Sequence, residues 1–357
     1  MSSYATGEKA VAVFGASGHT GRFVVEELLR RGYRPIAVGR DSAKLASFAS
    51  RRIDTRTASI DDASALDKAF AGTAAVINCA GPFLDTADAV ASAAIRAGAH
   101  YLDVTAEQAS AQATLEKFDK LARAAGVVVM PAMGFYGGFA DLLATAVTEG
   151  WDTVDDIAIG IALNYWHPTE GTRLTGKRNT APRVIVANGR LTEMPRPAAE
   201  SSWDFASPFG HQDVVEVPLS EIVLIARHLR TRELHTYLNT APLRDLGNPE
   251  TPPPNAGAST QIFEVDVIAR SGDETRRITA KGTDIYALTA PLVCEALHQI
   301  LGAGAKSNGS RVPGELLDEK AFLNSLSAQR MFQICGVIIG GLNSWASASN
   351  RTARLID

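Results

Sequence analysis

Cysteine is scarce. Cys79, Cys294 and Cys335 are the three in 357 residues, and they are too scattered for a disulfide framework or a thiolate zinc site. Each sits in an apolar stretch, where a small buried thiol is expected. Neither sign of charge is in large excess, since 35 Lys and Arg against 39 Asp and Glu leave a net charge of −4. The basic stripe of a nucleic-acid binder is missing; Arg30-Arg31 and Arg51-Arg52 are short and read as solvated faces. No run reaches the roughly 18 apolar residues of a spanning helix, and residues 1–9 lack the apolar segment of a secretory signal. These absences make a cytoplasmic protein with no nucleic-acid partner and no transmembrane segment the default expectation. His100, His228 and His235 show no ligand spacing, so no metal is expected.

What is present is a strand-helix alternation. Residues 10–14 form an apolar run ending at Gly15, and 20–31 carry helical spacing closed by Gly32. Strands are expected at 35–38, 55–60, 74–79, 101–104 and 127–130. Helices are expected at 42–50, 62–71, 86–97 and 109–125. Such alternation with short connections implies a parallel sheet covered on both faces, the doubly wound α/β architecture. After about Trp151 the pattern changes. Residues 156–163 alternate partly with period two, and 184–187 run into Asn188-Gly189, a strong hairpin signal. Strands at 261–270 and 275–282 flank Ser271-Gly272-Asp273, a helix is expected at 220–229, and 239–258 reads as a long loop. The expected division is a Rossmann domain over 1–133 and an α+β substrate or dimerisation lobe with a mostly antiparallel sheet over 134–284. Helices over 285–330 return to the first lobe, and 331–357 form an apolar tail that docks into the fold or into a homodimer contact.

The strongest chemical signal is Gly15-Ala16-Ser17-Gly18-His19-Thr20-Gly21, which follows a strand and opens a helix. The tight turn needs residues without a Cβ, the backbone must approach a pyrophosphate, and the helix start offers free N–H groups. Gly15, Ser17, Gly18, His19, Thr20 and Gly21 are therefore assigned to phosphate binding. After the second strand comes Gly39-Arg40-Asp41-Ser42. Arg40, helped by Ser42, suits the 2′-phosphate of NADP(H) through charge-assisted bonds, while Asp41 leaves NAD(H) open as the lesser alternative. Asp61 is placed to meet the adenine edge. Asn78, Ala80, Gly81, Pro82 and Phe83 close the fourth strand beside the crevice where the cofactor belongs.

Three segments resemble the saccharopine dehydrogenase-like (saccharopine reductase-like) oxidoreductases. They are Asn78-Cys79-Ala80-Gly81-Pro82-Phe83, residues 98–107 (Gly-Ala-His-Tyr-Leu-Asp-Val-Thr-Ala-Glu) and residues 131–142, with weaker echoes at Glu170-Gly171-Thr172 and Tyr286-Ala287-Leu288-Thr289-Ala290. The resemblance implies the fold and an NAD(P) cofactor. One departure bears on the substrate: where relatives read Gly-Phe-Asp-Ser-x-Pro, this chain reads Gly134-Phe135-Tyr136-Gly137-Gly138-Phe139 and loses an acid.

Reduction of a C=O, C=N or activated C=C bond needs a proton partner. Tyr136 stands first, at the altered motif and the end of the sixth strand; His167, Tyr165 and Lys177 follow, near a second-lobe strand end. Asp103 and Glu107 are expected to bind ligand or to cap the following helix. The reading is an NADP(H)-dependent oxidoreductase acting on a small molecule, with a slight preference for a less polar substrate over an amino-diacid. A non-enzymatic NADP(H) sensor is the alternative, since no Tyr-x-x-x-Lys dyad is present. A third reading is a lipid-associated reductase that places its apolar tail at a membrane surface.

Overall fold

The computed structural model describes residues 9–339, apart from 247, 249, 254 and 303–307. Of the apolar tail expected over 331–357, residues 340–357 therefore lie outside the described residues.

The first half alternates as expected: β1 (Ala10–Phe14), α1 (His19–Arg30), β2 (Arg34–Gly39), α2 (Ser42–Ala49), β3 (Asp54–Thr57), α3 (Ala63–Phe70), β4 (Ala75–Asn78), α4 (Phe83–Arg96), β5 (His100–Asp103), α5 (Gln108–Ala125) and β6 (Val128–Met130). A tight turn at Phe135–Phe139 leads to α6 (Ala140–Val147), β7 (Val154–Leu163), α7 (Glu170–Arg178), β8 (Val184–Ala187), β9 (Arg190–Glu193), β10 (Glu200–Asp204) and β11 (His211–Glu216). The chain continues through α8 (Ser220–His228), β12 (Thr231–Asn239), α9 (Thr240–Asp245), β13 (Ile262–Ser271), β14 (Glu274–Thr283) and α10 (Ile285–Gly302). It ends in β15 (Gly309–Ser310), α11 (Pro313–Leu316), α12 (Glu319–Ala328) and β16 (Phe332–Ile339).

The first sheet is parallel throughout, in the order β15-β6-β5-β4-β1-β2-β3. Alternate β1 residues serve opposite faces, as strand geometry requires. Val11 and Val13 pack with Val24, Val25 and Leu28 of α1. Ala10, Ala12 and Phe14 pack instead with Leu66 and Phe70 of α3 and with Val90. The second sheet runs β10-β11-β12-β7-β13-β14-β16, with the β8–β9 hairpin branching from β12. Its pairs are antiparallel except β12 with β7. The core on the α1 face of the first sheet continues without a break through Phe135 and Phe139 to Ile157, Ile159, Val265 and Val267 of the second.

Some expectations shift. The third strand is shorter than 55–60 because Ala58 onward turns toward the Asp62 cap of α3. The loop expected over 239–258 begins with α9. The described start of the expected tail is a strand, β16, paired with β14. Cys335 consequently is exposed, since alternate residues of an edge strand leave the core. By length and composition α10 is apolar enough to cross a membrane, yet 67% of it is buried. It packs on α1, where the fully buried Arg31 pairs with Glu27 and Glu295, each at 2.6 Å. A buried cation is tolerated only with such partners.

The β10–β11 hairpin lies over the outer face of the second sheet. Trp203 donates to Asp266 Oδ2 at 2.8 Å, and a Cβ at Gly160 would sit 2.4 Å from its ring. Gly160→Ala must unseat the indole and is expected to cost about 1–3 kcal/mol. Chemical denaturation checks this, and an unchanged midpoint would mean that the hairpin does not need that seat.

Candidate functional site

β1 and β4 are neighbours although β2 and β3 intervene in the chain, so the sheet reverses its order between them. Such a switch point opens a crevice at the carboxyl ends of the strands. Phe14 pairs with Asn78, and Asn78 with Asp103, so these three ends are level. Gly15, at φ +79°, comes so near the β4 turn that a Cβ would lie 2.9 Å from Ala80. A Cβ at Gly21 would lie 2.3 Å from the Gly15 carbonyl oxygen. Gly18 differs: its φ is an ordinary −71°, and among the described residues the one atom near its Cβ position is the Gly15 oxygen at 3.2 Å. Gly15 and Gly21 are thus demanded by the turn itself, whereas Gly18 keeps its outer side clear.

The start of α1 has no side-chain cap and no acidic residue in its first turn. At α5, α6, α8, α9 and α11 too the N-cap residue makes no side-chain cap, whereas α2, α3, α7 and α12 are capped by Asp41, Asp62, Thr169 and Asp318; α1 is set apart by following β1 at the switch point. Orphan N–H groups and the positive dipole end therefore point into the crevice at α1, which suits a phosphate. Ser17, His19 and Thr20 are half-buried around it. Arg40 is exposed and has no protein partner among the described residues. Asp41, the source of the NAD(H) ambiguity, accepts from the backbone of Ala43 at 2.9 Å and Lys44 at 3.3 Å. Its carboxylate serves α2. Ser42 is exposed at the first position of that helix. Arg22, which sequence spacing did not single out, folds back with Nε donating to the Ser17 carbonyl and its guanidinium over Phe48. Its place directly after the third glycine was the available signal. Asp61 is exposed four residues beyond the end of β3, near Ser59.

The β4 turn is held from below by a buried polar network. Asn78 Oδ1 accepts from the Ala80 N–H, and its amide reaches the hydroxyls of Thr86 and Tyr101. Tyr101 donates to Asp103 Oδ2 at 2.8 Å, while Oδ1 accepts from the backbone of Thr105 and Ala132. Burial pushes the Asp103 carboxyl up to about 6, although its three donors pull the other way. Glu107 accepts from the N–H groups of Phe83 at 2.7 Å and Leu84 at 3.2 Å. It caps α4, not the helix that follows it as expected, because the level ends of β4 and β5 bring α4 nearer. Phe83 is buried, with its ring 3.4 Å from the Cβ position of Gly81. Above Gly81 stands Thr175 of α7, 2.9 Å from that same position. The second lobe thus overlies the crevice.

Tyr136 lies in the tight turn after β6, beside Gly137 at φ +146°. Its ring meets Phe135 and Trp166, the latter with centroids 5.8 Å apart. The hydroxyl is buried without a hydrogen-bond partner among the described residues. Burial, with the neighbouring Tyr286 and Glu221, holds this phenol well above its usual range. Tyr165 and His167 face each other at 4.7 Å on the outer rim, and Lys177 is exposed on α7. Among the described residues no hydrogen bond or ring contact joins any of these three to Tyr136. The structure therefore sets Tyr136 against Phe135 and Trp166, and no such contact joins it to the other three proton candidates.

Residues 11–130 match the family described as saccharopine dehydrogenase NADP binding domain. This stretch of the chain is similar to such a domain. The chain is 33% identical over 147 residues to a lipid droplet localized protein of Caenorhabditis elegans, covering 37% of this chain and 34% of that one. It is 28% identical over 142 residues to a probable mitochondrial saccharopine dehydrogenase-like oxidoreductase of Arabidopsis thaliana, covering 35% and 31%. The match thus spans about a third of the length of these relatives. In architecture it resembles the apo saccharopine dehydrogenase (L-Glu forming) of Saccharomyces cerevisiae, with a TM-score of 0.63 at 11% identity over 92% of this chain and 100% of that one. The expected cytoplasmic location is corrected by these relatives, whose names place them at lipid droplets or in mitochondria.

Two outcomes follow from the geometry. Gly18→Ala should cost far less thermal stability than Gly21→Ala and weaken NADP(H) binding at least about tenfold, since apart from the Gly15 carbonyl oxygen at 3.2 Å its Cβ faces the side offered to a phosphate. Gly21→Ala should destabilise the fold itself; equal effects of both on stability would contradict the division. Asp103 has a folded pKa raised above its unfolded value, so its contribution is full below about pH 4 and lost as pH rises through about 6. The stability of the parent relative to Asp103→Asn should therefore fall between those limits by up to about 3 kcal/mol, read by urea unfolding; a flat difference would mean that the carboxyl ionises freely.

Proposed function

We propose that the chain is an NADP(H)-dependent oxidoreductase that moves hydride to or from a C=O, C=N or activated C=C bond of a small molecule, with Tyr136 as proton donor. The observation that carries the reading is the Tyr136 hydroxyl, buried beside Trp166, protonated at every ordinary pH and without a partner among the described residues. A buried unsatisfied hydroxyl costs about 1–3 kcal/mol, and a substrate heteroatom would satisfy it. NADPH supplies the hydride when bound. The α1 turn (Gly15, Ser17, Gly18, His19, Thr20, Gly21) would hold the pyrophosphate. Arg40, with Ser42, would take the 2′-phosphate, and Asp61 would border the adenine. Asn78, Ala80, Gly81, Pro82 and Phe83 would form the floor under the reacting ring.

The crevice also favours a substrate of low charge. An amino-diacid would need cationic clamps, and of Arg173, Lys177, Arg178 and Arg183 three already hold protein oxygens, while Lys177 is exposed on α7. Arg173 donates to the carbonyls of Leu246 and Glu250, Arg178 to Asp85 and Arg183 to the Pro218 carbonyl. Trp166 and Phe83 supply apolar walls instead. We assign residues 1–133 to the cofactor, 134–284 to the substrate and to a homodimer contact, and 285–330 to closing the first lobe.

The test is one set of titrations and assays on the full chain. Arg40→Ala should raise the NADPH Kd at least about tenfold and leave that for NADH little changed. Tyr136→Phe should keep NADPH binding and lower kcat on a responsive carbonyl, imine or enoyl compound by about 10²–10⁴. Full turnover by Tyr136→Phe would remove the donor assignment. NADPH binding with no turnover across such a panel would remove the oxidoreductase reading.

A further inference from the structure

Tyr286, near the start of α10, has no part in the mechanism above, yet it joins its two halves. Its ring meets His19 of the phosphate turn edge-on, with centroids 5.4 Å apart. Its hydroxyl is approached by Trp166 Nε1 at 3.0 Å, Thr172 Oγ1 at 3.1 Å and the Thr169 N–H at 3.3 Å. Trp166 and Thr169 can only donate to it, so the Tyr286 proton is left for Thr172 Oγ1. The hydroxyl thus gathers the end of the β7 segment and the first turn of α7. Trp166 then lies against Tyr136, and α7 carries Thr175 over Gly81. Asp284 Oδ1 accepts from the N–H groups of Tyr286 and Ala287, each at 3.0 Å, which fixes the base of the ring.

We infer that Tyr286 is a positioning residue that couples occupancy of the phosphate turn, through His19, to the placement of Trp166 and α7 at the substrate crevice. The physical argument is one of shared contacts. An anion drawn to the α1 start acts where His19 stands, at the first position of that helix. An edge-to-face partner must follow a shift of the imidazole or lose about 0.5–1.5 kcal/mol. The ring is pinned at its base and hydrogen-bonded at its tip, so a tilt at His19 is delivered to Trp166 and Thr172. The partly buried hydroxyl knot makes that delivery discrete, since bonds of this kind are costly to leave unmade. Burial keeps the phenol neutral and able to donate.

The inference rests on the phosphate turn binding NADP(H), and the experiment separates the two. The full chain and its Tyr286→Phe variant are titrated with NADP+, chosen because it does not absorb indole emission. Affinity is read by calorimetry and the environment of Trp166 by fluorescence, with Trp166→Phe identifying its share among the four tryptophans. Tyr286→Phe keeps the ring on His19 and removes the knot. The expected result is an NADP+ Kd within about threefold of the parent, with the Trp166 response to NADP+ reduced to less than half. Thr172→Val, which removes one partner, should lose part of the response. A parent-sized response in both variants, or no Trp166-dependent response in a parent that binds NADP+, would overturn the coupling. A parent that shows no heat with NADP+ would overturn the cofactor reading, and the coupling with it.

Discussion

The buried carboxylate of Asp103 is the constraint on which the crevice depends. Three strand ends have to stop level with one another, and nothing in strand pairing alone makes them do so. Asp103 supplies the stop by accepting from Thr105 just beyond its own strand, from Ala132 after β6 and, through Tyr101, by steadying Asn78 at the end of β4. Its own carbonyl also accepts from the Met133 N–H. Desolvation of this carboxyl is offset by donors from three directions, the usual condition for keeping such a group inside. The consequence is local rigidity where the first lobe hands the chain to the second.

Much of the first lobe was legible in the residues. The run Ala10–Phe14, the three spaced glycines and the stop at Gly32 each have one cheap conformational solution, and local and tertiary preferences agree there. The second lobe was legible mainly where turn chemistry is strong, as at Asn188-Gly189 and Gly272-Asp273. Order of strands was not, because β12 beside β7 is a parallel pairing decided by long-range packing. The cap on α4 shows the limit for sites. Glu107 is 24 residues from Phe83 in sequence, so only the fold reveals whose N–H groups it serves. Likewise the spacing of Tyr165, His167 and Lys177 marked a rim, but could not say that Tyr136 faces elsewhere.

Asp41 and Arg40 illustrate how adjacent charges divide labour. From residue types alone they compete for one ribose. In the fold the shorter side chain bends into the first turn of α2, and the longer one has no partner among the described residues. Helix capping, an effect of about 1 kcal/mol, thereby separates two residues that sequence could only set side by side.

Strand β15 has a consequence for how the protein comes into being. It places Gly309 and Ser310 beside Val128 and Val129, at the edge of the first sheet, and the Asp119 carboxylate of α5 accepts from the Ser310 N–H. A ribosome that has released only the nucleotide-binding stretch has made a sheet with β6 still bare. Bare edges invite wrong pairing, and contacts so distant along the chain close slowly. The lobe that reads as self-sufficient from its first six strands is completed only after β7 to β14 have been made, so its maturation waits on a segment beyond most of the second sheet.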